Sequence, residues 1–482
     1  MTEQSASASR APLGWQRLFV EPARPDWVRR RRRAPWLVVA TVCIGAFMGQ
    51  LDASIVTLAV PPIAAELHAS LGEVEWVALV YLLVLVGTIS AVGRLADMLG
   101  RKLFYTYGFV LFTLASLACG LAPDLPWLIA ARAVQAVGAA MLQSNSVALI
   151  RTSMPPGRLG RAIGLQGAAQ ALGLAIGPSV GGLLIAAGGW RWVFFVNVPA
   201  GILGAALGWI MLPRTRAKAP LAPLDLVGLV LLLPAVGSLL LALSEASRRG
   251  FADAQVMGLG ALAVAFGTAF VWRERRARHP LVDLGLFRSG RFSAGLGAGA
   301  ASFLALFGVL LVTPLYTHAR LGLGPTQSGL LLTILPVALA LVAPAAGRLA
   351  DRRGPRLPMT FGMVLAAAGL TGMATGAESV VVLAVSLAAV GAGLGFFTPA
   401  NNASVAAAGH DHQAGMVSGV LNMTRGIGTS LGVAVGAVTY ALASAGIGSS
   451  PEGSEAGFRT ALIVFAAVAL AGAALSAAHR AR

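Results

Sequence analysis

The sequence predicts an all-α integral membrane protein with about fourteen transmembrane helices. The first observation is composition. Of the 482 residues, 57% are hydrophobic and only 11% are charged, whereas a soluble globular protein has roughly 25% charged residues. The second is spacing, because the apolar residues form runs that reach the roughly 20 residues a helix needs to cross the hydrocarbon core. A chain with so little polar surface is expected to fold in lipid.

Fourteen apolar runs are separated by polar segments, most of them short. Their approximate ranges are 36–60, 75–93, 103–122, 126–150, 161–187, 192–212, 224–244, 254–272, 294–316, 327–346, 358–376, 379–400, 414–441 and 457–477. An even number of spans predicts that both termini lie on the same side of the membrane.

The basic residues predict the orientation. The formal net charge of +17 would by itself also fit a nucleic-acid-binding protein. However, nearly all of the basic residues lie between the spans, and most of them fall on one side when the N-terminal tail is placed inside. Since cytoplasmic loops are enriched in Lys and Arg, we expect a multi-pass protein of the cytoplasmic membrane with both termini cytoplasmic. The run Arg29–Arg33 is interpreted as a topology anchor, and nucleic acid is not an expected partner.

The chain also contains an internal repeat. The segment Gly93–Asp97 recurs as Gly347–Asp351. The offset is 254 residues, and a second set recurs at an offset of 255, with Gly164, Gly173 and Gly177 matched by Gly419, Gly428 and Gly432. Two related halves in the same orientation, with a substrate path between them, are typical of transporters.

The repeat divides the chain into four parts. We predict a basic cytoplasmic tail at 1–35, an N-terminal six-helix bundle at 36–213 and a C-terminal six-helix bundle at 292–478. The helices between the bundles, at 224–273, are then an insertion of two additional linker helices.

Several spans have more specific patterns. They comprise Leu51–Val56 with Pro61 in the first span, Gly93, Arg94, Asp97, Gly100 and Arg101 after the second, Arg132 and Gln135 in the fourth, Gly164, Gly173, Gly177, Pro178, Gly181 and Gly182 in the fifth, and Gly189–Trp192 with Asn197 and Pro199 at the sixth. In these segments the chain resembles the major facilitator superfamily, specifically its fourteen-span drug:proton antiporters. Ala136 departs from the fourth-span pattern, where a glycine is usual.

This resemblance implies a proton-coupled exporter of drugs, antibiotics or other small lipophilic compounds, with protons and a small molecule as its partners. A proton-coupled metabolite symporter is the alternative, and a non-transporting membrane receptor is a third reading that the lack of a sizeable soluble domain disfavours. Cys43 and Cys119 lie in apolar runs, and no metal cluster, catalytic triad or GxxxxGK[ST] loop is visible. We therefore expect no enzyme activity, cofactor or metal, and an ion gradient as the energy source.

Asp52 is the carboxylate that lies well inside an apolar span. A charge at the bilayer centre is costly, at about 2.5–3.5 kcal/mol on insertion scales, so this group is a candidate for proton exchange. Arg132 stays charged and must find a carboxylate or carbonyl partner when buried. The resemblance implies a role for both residues in proton coupling, whereas a permanently paired Asp52 and an Arg132 that reaches the membrane interface are the structural alternatives.

The glycine patterns predict backbone contacts. In the fifth span, the small residues from Gly164 to Gly182 would let a helix kinked at Pro178 pack closely between the halves. In the repeated loop, Gly93 and Gly100 permit tight turns, while Asp97 can lie against a helix N-terminus or pair with Arg101. The resemblance implies that Arg94 and Asp351 belong to the same conformational motif, whose contacts would hold the outward-facing state and break on switching. A purely static clamp is the alternative.

Four polar or charged residues within spans are candidates for lining a substrate cavity: Gln135, Gln143, Gln170 and Arg425. Arg425 stands at the position of Gln170 in the repeat alignment. A buried acid in the first span suggests lipophilic cations as substrates. Since there is no clear second embedded acid, neutral and anionic substrates remain open, and so does the oligomeric state.

Overall fold

The computed structural model describes residues 21–31, 33–155, 157–215, 218–221, 223, 225–376, 378–410, 413–445 and 451–478. Within these residues it contains fourteen helices long and apolar enough to cross a membrane, which confirms the predicted fold class. They are α1 Ala34–Glu66, α2 Trp76–Leu99, α3 Arg101–Gly120, α4 Leu125–Ser153, α5 Leu159–Gly188, α6 Trp192–Met211, α7 Leu226–Arg249, α8 Ala254–Arg276, α9 Gly290–Leu321, α10 Pro325–Arg353, α11 Arg356–Thr375, α12 Val380–Ala408, α13 Ala414–Ala445 and α14 Pro451–Ala477.

Several helices extend beyond the apolar runs that predicted them. The first run was expected to end near residue 60, but α1 continues to Glu66 and includes Pro61 and Pro62. Hydropathy marks the part of a helix that lies in hydrocarbon, whereas backbone hydrogen bonding continues into the polar surroundings. Some helix starts are set by side-chain caps, as at α4, where the Asp124 carboxylate accepts a hydrogen bond from the Trp127 N–H at 2.8 Å.

Two six-helix bundles repeat the same packing. In the first bundle α1 packs on α5, α2 packs on α4, and α3 packs on α4 and α6. In the second bundle α9 packs on α13, α10 packs on α12, and α11 packs on α12 and α14. The bundles meet where α5 packs on α10 and α2 packs on α13. These two contacts are related by the sequence repeat, so the interface has approximate two-fold symmetry.

The two additional helices lie outside this arrangement. α7 packs on α8 and also contacts α13 and α2, which places the pair beside one of the two bundle contacts. Asp225 caps α7 by accepting from the Gly228 N–H at 2.9 Å, and the Arg273 guanidinium of α8 donates to the same carboxylate at 3.0 Å. Although burial opposes ionisation of Asp225, the hydrogen bonds from Arg273 hold its pKa below the usual range.

We refer to the end of the molecule that carries the α2–α3 and α10–α11 connections as the basic end. Arg101, Lys102, Arg352 and Arg353 lie there. The connection between α2 and α3 is only one residue long, because Gly100 has a positive φ of 134° that lets the chain reverse between two helices.

Most of the α5 glycines lie where another helix approaches closely. A Cβ atom at Gly164 would collide with the Ala343 carbonyl of α10 in the other bundle. One at Gly173 would collide with the Phe47 carbonyl of α1, and one at Gly177 would lie 2.5 Å from Ser54 Oγ of the same helix. Small residues of this kind let helix backbones approach in lipid. α5 therefore packs against both α1 and α10, as the sequence predicted.

Two residues of the α5 pattern do not take part in this packing. A Cβ atom at Gly182 would meet no other atom within 4 Å, and Pro178 is exposed on the outer face of α5. The expectation of close packing at Gly182 is therefore wrong, because the helix turns this position away from α1. Gly181, its neighbour, does face Ile55 of α1.

This difference gives a matched pair of variants. We expect Gly177→Leu to lower the free energy of unfolding by about 1–3 kcal/mol, since the added side chain overpacks the contact with Ser54. Gly182→Leu should leave stability unchanged because its side chain enters open space. The measurement is the Tm of each purified variant in detergent. Equal Tm values for both leucine variants would contradict the role of close backbone approach in α5.

Candidate functional site

A buried ion pair lies inside the first bundle. The Arg132 guanidinium of α4 donates from Nη1 to Asp52 Oδ2 of α1 at 2.7 Å. The two side chains are 1% and 0% exposed. Each charge therefore has its partner in a place from which bulk water is excluded, where an unpaired charge would be strongly unfavourable.

Neutral donors complete the surroundings of the carboxylate. Gln135 Nε2 of α4 donates to Asp52 Oδ1 at 3.1 Å, and Asn197 Nδ2 of α6 donates to the same oxygen at 2.9 Å. The Ser116 hydroxyl of α3 accepts from both amides, at 3.1 and 3.2 Å. The polar cluster thus joins α1, α3, α4 and α6, and it orients the carboxylate through fixed hydrogen bonds.

Arg132 links this cluster to the space between the bundles. Its Nε donates to the Val77 carbonyl of α2 at 3.1 Å, and its Nη1 also donates to Gln135 Oε1 at 2.6 Å. The guanidinium carbon lies 4.2 Å from the centre of the Tyr81 ring, a cation–π distance. Arg132 and Tyr81 both form part of the wall of a central cavity, whereas Asp52 does not.

This central cavity has a volume of about 330 Å³ and lies between the two bundles. Its walls come from α1, α2, α4, α5, α9 and α13. Apolar side chains such as Leu82, Phe303 and Phe307 provide much of the lining. The size and the mostly apolar walls suit a small organic molecule.

Three of the four residues expected to line a cavity do so. Gln143, Gln170 and Arg425 belong to the wall of the central cavity. Gln135 does not, because it lies behind Arg132 with no exposed surface and bonds to the ion pair instead. Asn422 is a further lining residue, and its Nδ2 donates to the Gln143 carbonyl across the bundle interface at 3.1 Å.

The repeated aspartates form a second polar feature at the basic end. Asp97, near the end of α2, accepts from the backbone N–H groups of Gly415 and Met416 in the first turn of α13, both at 2.9 Å. Asp351, near the end of α10, accepts from the N–H groups of Gly160 and Arg161 in α5, at 2.7 and 2.9 Å. We call these contacts the two interbundle caps.

The interbundle caps use charge and close approach together. A carboxylate at a helix N-terminus meets unpaired N–H groups and the positive end of the helix dipole. Gly93 and Gly347 bring the backbones near enough, since a Cβ atom at either would collide with the carbonyl of Gly415 or Gly160. The caps differ in one respect. Asp97 also pairs with Arg101 at 2.7 Å, whereas Pro355 occupies the corresponding position after Asp351.

Other contacts close the basic end. The Arg151 guanidinium of α4 donates to the carbonyl oxygens of Ala406 and Gly409, the latter at 2.7 Å. Arg94, although part of the repeated motif, donates to neither cap and lies half-buried on α2. Polar contacts therefore join the two bundles along the part of their interface that runs from the middle of the molecule to its basic end.

Comparison with known proteins identifies the family. The family model of the Major Facilitator Superfamily matches residues 42–312 and 295–481. The chain belongs to the major facilitator superfamily. Two of its relatives are the riboflavin transporter RibZ of Clostridioides difficile, 32% identical over 83% of this chain and 87% of the relative, and the multidrug resistance protein Stp of Mycobacterium tuberculosis, 34% identical over 86% of this chain and 77% of the relative.

A solved structure shares the fold. The crystal structure of the human organic anion transporter MFSD10 (TETRAN) has a TM-score of 0.66 and covers 92% of this chain and 99% of that one, at 17% sequence identity. This superfamily protein is thus a multi-pass membrane transporter, as its sequence motifs indicated.

Sequence reasoning did not find every member of the polar cluster. The sequence indicates Asn197 only as part of a motif, and it does not distinguish Ser116 or Tyr81, the aromatic residue of α2 that lies beside Arg132. A serine in an apolar span gives no signal by itself, since most such hydroxyls bond to their own helix backbone. What distinguishes Ser116 is its position opposite Gln135 and Asn197, which depends on how α3, α4 and α6 pack.

The interbundle caps predict how the basic end responds to a lost charge. Asp351→Asn removes the negative charge next to the α5 N-terminus and one of the two oxygens that accept hydrogen bonds there. It should weaken this cap by ~1 kcal/mol and raise opening at the basic end about fivefold. The measurement is alkylation of Gln143→Cys in the cavity wall by an impermeant maleimide added at the basic side, in a background with Cys43 and Cys119 replaced by Ala.

Asp253→Asn is the matched control for this experiment. Asp253 also caps a helix, accepting from the Gln255 N–H at 2.9 Å, but it does so at α8, away from the bundle interface. Its loss should leave the alkylation rate unchanged. If Asp351→Asn alkylates no faster than Asp253→Asn, the cap at α5 does not hold the basic end closed.

Proposed function

We propose that this superfamily member is a proton-coupled exporter of small organic molecules that works by alternating access. The observation that carries the proposal is the buried Asp52–Arg132 pair, with Arg132 in the wall of a cavity that fits a small molecule. The resemblance of α5 to the antiporter pattern and the similarity to a protein named for multidrug resistance favour export.

The geometry supplies a route from proton binding to the cavity. When Asp52 is ionised, its charge balances that of Arg132. When Asp52 takes a proton, Arg132 loses its ionic partner and becomes an uncompensated cation in the cavity wall. Because such a charge is costly in a low-dielectric interior, protonation changes the energy of the cavity and of the helices that hold Arg132.

The interbundle caps supply the conformational step. In this structure they join α2 to α13 and α5 to α10 at the basic end. Since cytoplasmic loops are rich in Arg and Lys, we assign the basic end and both termini to the cytoplasm, in the cytoplasmic membrane. The conformation then has its cytoplasmic side closed. Transport requires a second conformation in which the caps separate and the opposite ends of the bundles close.

A proton-coupled metabolite symporter is the second candidate. It is favoured by the similarity to a protein named as a riboflavin transporter and by the amides of Gln143 and Gln170 in the cavity wall. The two candidates differ in the direction of coupling. An antiporter accumulates substrate in a compartment that loses protons, whereas a symporter moves both in the same direction.

Asp52→Asn tests the proton-coupling role. In everted membrane vesicles with an acidic lumen, the wild type should accumulate dyes from a panel of anionic, neutral and cationic compounds and should alkalinise the lumen as it does so. We expect Asp52→Asn to lose both effects at least tenfold, because an amide cannot exchange the proton. Asp52→Glu keeps an acid at the site and should retain part of the coupling.

The same helix offers a matched control. Glu66 lies at the far end of α1, where it pairs with Arg191 and accepts from Trp190 Nε1 at 2.8 Å. Glu66→Gln removes a paired carboxylate of α1 outside the polar cluster and should leave coupling unchanged. Full proton-driven accumulation by a correctly inserted Asp52→Asn protein would refute the proposed role of Asp52.

A further inference from the structure

Arg425 of α13 is a buried cation whose charge has no described partner. It is 6% exposed and lies in the wall of the central cavity. Its Nη1 donates to Asn422 Oδ1 at 3.1 Å, and its guanidinium carbon lies 5.3 Å from the centre of the Phe303 ring. Its Nη2 has no hydrogen-bond partner. Among the described residues, no carboxylate forms an ion pair with it.

The central cavity as a whole is therefore positive. Two charged residues form part of its wall, Arg132 and Arg425. The charge of Arg132 is balanced by Asp52 from behind the wall, and the carboxylate itself does not reach the cavity. The charge of Arg425 is not balanced by any described carboxylate. A buried, unpaired guanidinium is costly, so the cavity is suited to an occupant that supplies the missing negative charge.

We infer that the central cavity binds organic anions, with an oxyanion group of the substrate, such as a carboxylate, on Arg425. This inference rests on the proposed transport function and names the substrate class. A guanidinium presents parallel N–H donors that match a carboxylate. Nη2 of Arg425 is such a donor, buried in the cavity wall and without a hydrogen-bond partner. The apolar or aromatic body of the substrate would lie against Phe303, Phe307 and Leu82.

This conclusion reverses the preference for cations that a buried acid in the first span suggested. An acid selects cations only if the substrate can reach it. Here Arg132 and Tyr81 stand between Asp52 and the cavity. The substrate therefore contacts guanidinium groups and amides, while the Asp52 carboxylate does not contact the substrate and binds only the proton.

The two repeated halves contribute different side chains to the cavity. Gln170 of α5 occupies the position in the first bundle that Arg425 occupies in the second, and both line the cavity. The first bundle thus offers a neutral amide where the second offers a cation. A substrate with one charged end has a single preferred orientation, with its anionic group toward α13.

The test compares two dyes with similar aromatic cores and opposite charge. Fluorescein is an anion at mildly alkaline pH, and tetramethylrhodamine ethyl ester is a cation. Binding to the purified protein in lipid nanodiscs is measured by fluorescence anisotropy with no proton gradient. The wild type should bind fluorescein more tightly, and Arg425→Gln, which places the amide of the symmetry-related position there, should weaken fluorescein binding about tenfold or more.

Two further variants make the result specific. Arg425→Lys keeps the charge without the planar donors and should retain part of the fluorescein affinity. Arg459→Gln removes an arginine of α14 that pairs with Glu455 at 2.6 Å, away from the cavity, and should bind both dyes like the wild type. Unchanged fluorescein binding by Arg425→Gln, tighter binding of the cation by the wild type, or binding of neither dye would overturn the inference.

The result of this binding experiment is independent of the result of the proton-coupling test. Dye binding without a gradient depends on the charge of the cavity and not on Asp52 as a proton carrier. Loss of fluorescein binding in Arg425→Gln together with normal coupling in Asp52→Asn would support the substrate class and refute the proposed proton site. Unchanged fluorescein binding in Arg425→Gln together with lost coupling in Asp52→Asn would support the proposed proton site and refute the substrate class.

Discussion

The structure depends on the rule that an ionised side chain inside a membrane is costly unless it has a partner. Asp52 and Arg132 satisfy this rule together, and to do so they require α1 and α4 to lie side by side at one particular register. Gln135, Asn197 and Ser116 then fix the position of the carboxylate from α4, α6 and α3. In a bundle held mainly by apolar contacts, which tolerate sliding, this cluster selects a single arrangement. It also leaves a titratable group one side chain away from the cavity.

The bundle interface is built on a different principle. Its polar contacts include the two interbundle caps, in which Asp97 and Asp351 each bond to the first turn of a helix in the opposite bundle. These contacts can be replaced by water when the bundles separate, because both the carboxylates and the helix N-termini lie at the basic end. Apolar packing deep in each bundle cannot be exchanged in this way. In the proposed transport cycle the two halves would separate at this end while each stays folded.

Symmetry in the backbone does not extend to the chemistry of the cavity. The repeat places Gln170 and Arg425 at related positions in the same cavity wall, and only one of them is charged. The ion pair is likewise confined to the first bundle. One half therefore holds the proposed proton-binding group and the other half holds the candidate anion-binding group. Arg425 lines the cavity directly, and Asp52 reaches it only through its partner Arg132. Both can therefore act on the same small volume, which is the condition for coupling two ligands through one conformational change.

The sequence by itself determined that this protein folds in lipid, and it also determined the fourteen spans, the repeat and the family. These follow from composition, the length of apolar runs and local motifs. It also indicated that Asp52 and Arg132 would need partners, and it placed Gln143, Gln170 and Arg425 near a cavity. Only the tertiary structure decided that the two charges pair with each other, that Gln135 lies behind the cavity wall and that Gly182 faces outward. Periodicity fixes the angular position of a residue on its own helix. Which neighbouring helix it meets, and whether Arg132 stands between Asp52 and the substrate, depends on packing between segments far apart in the chain.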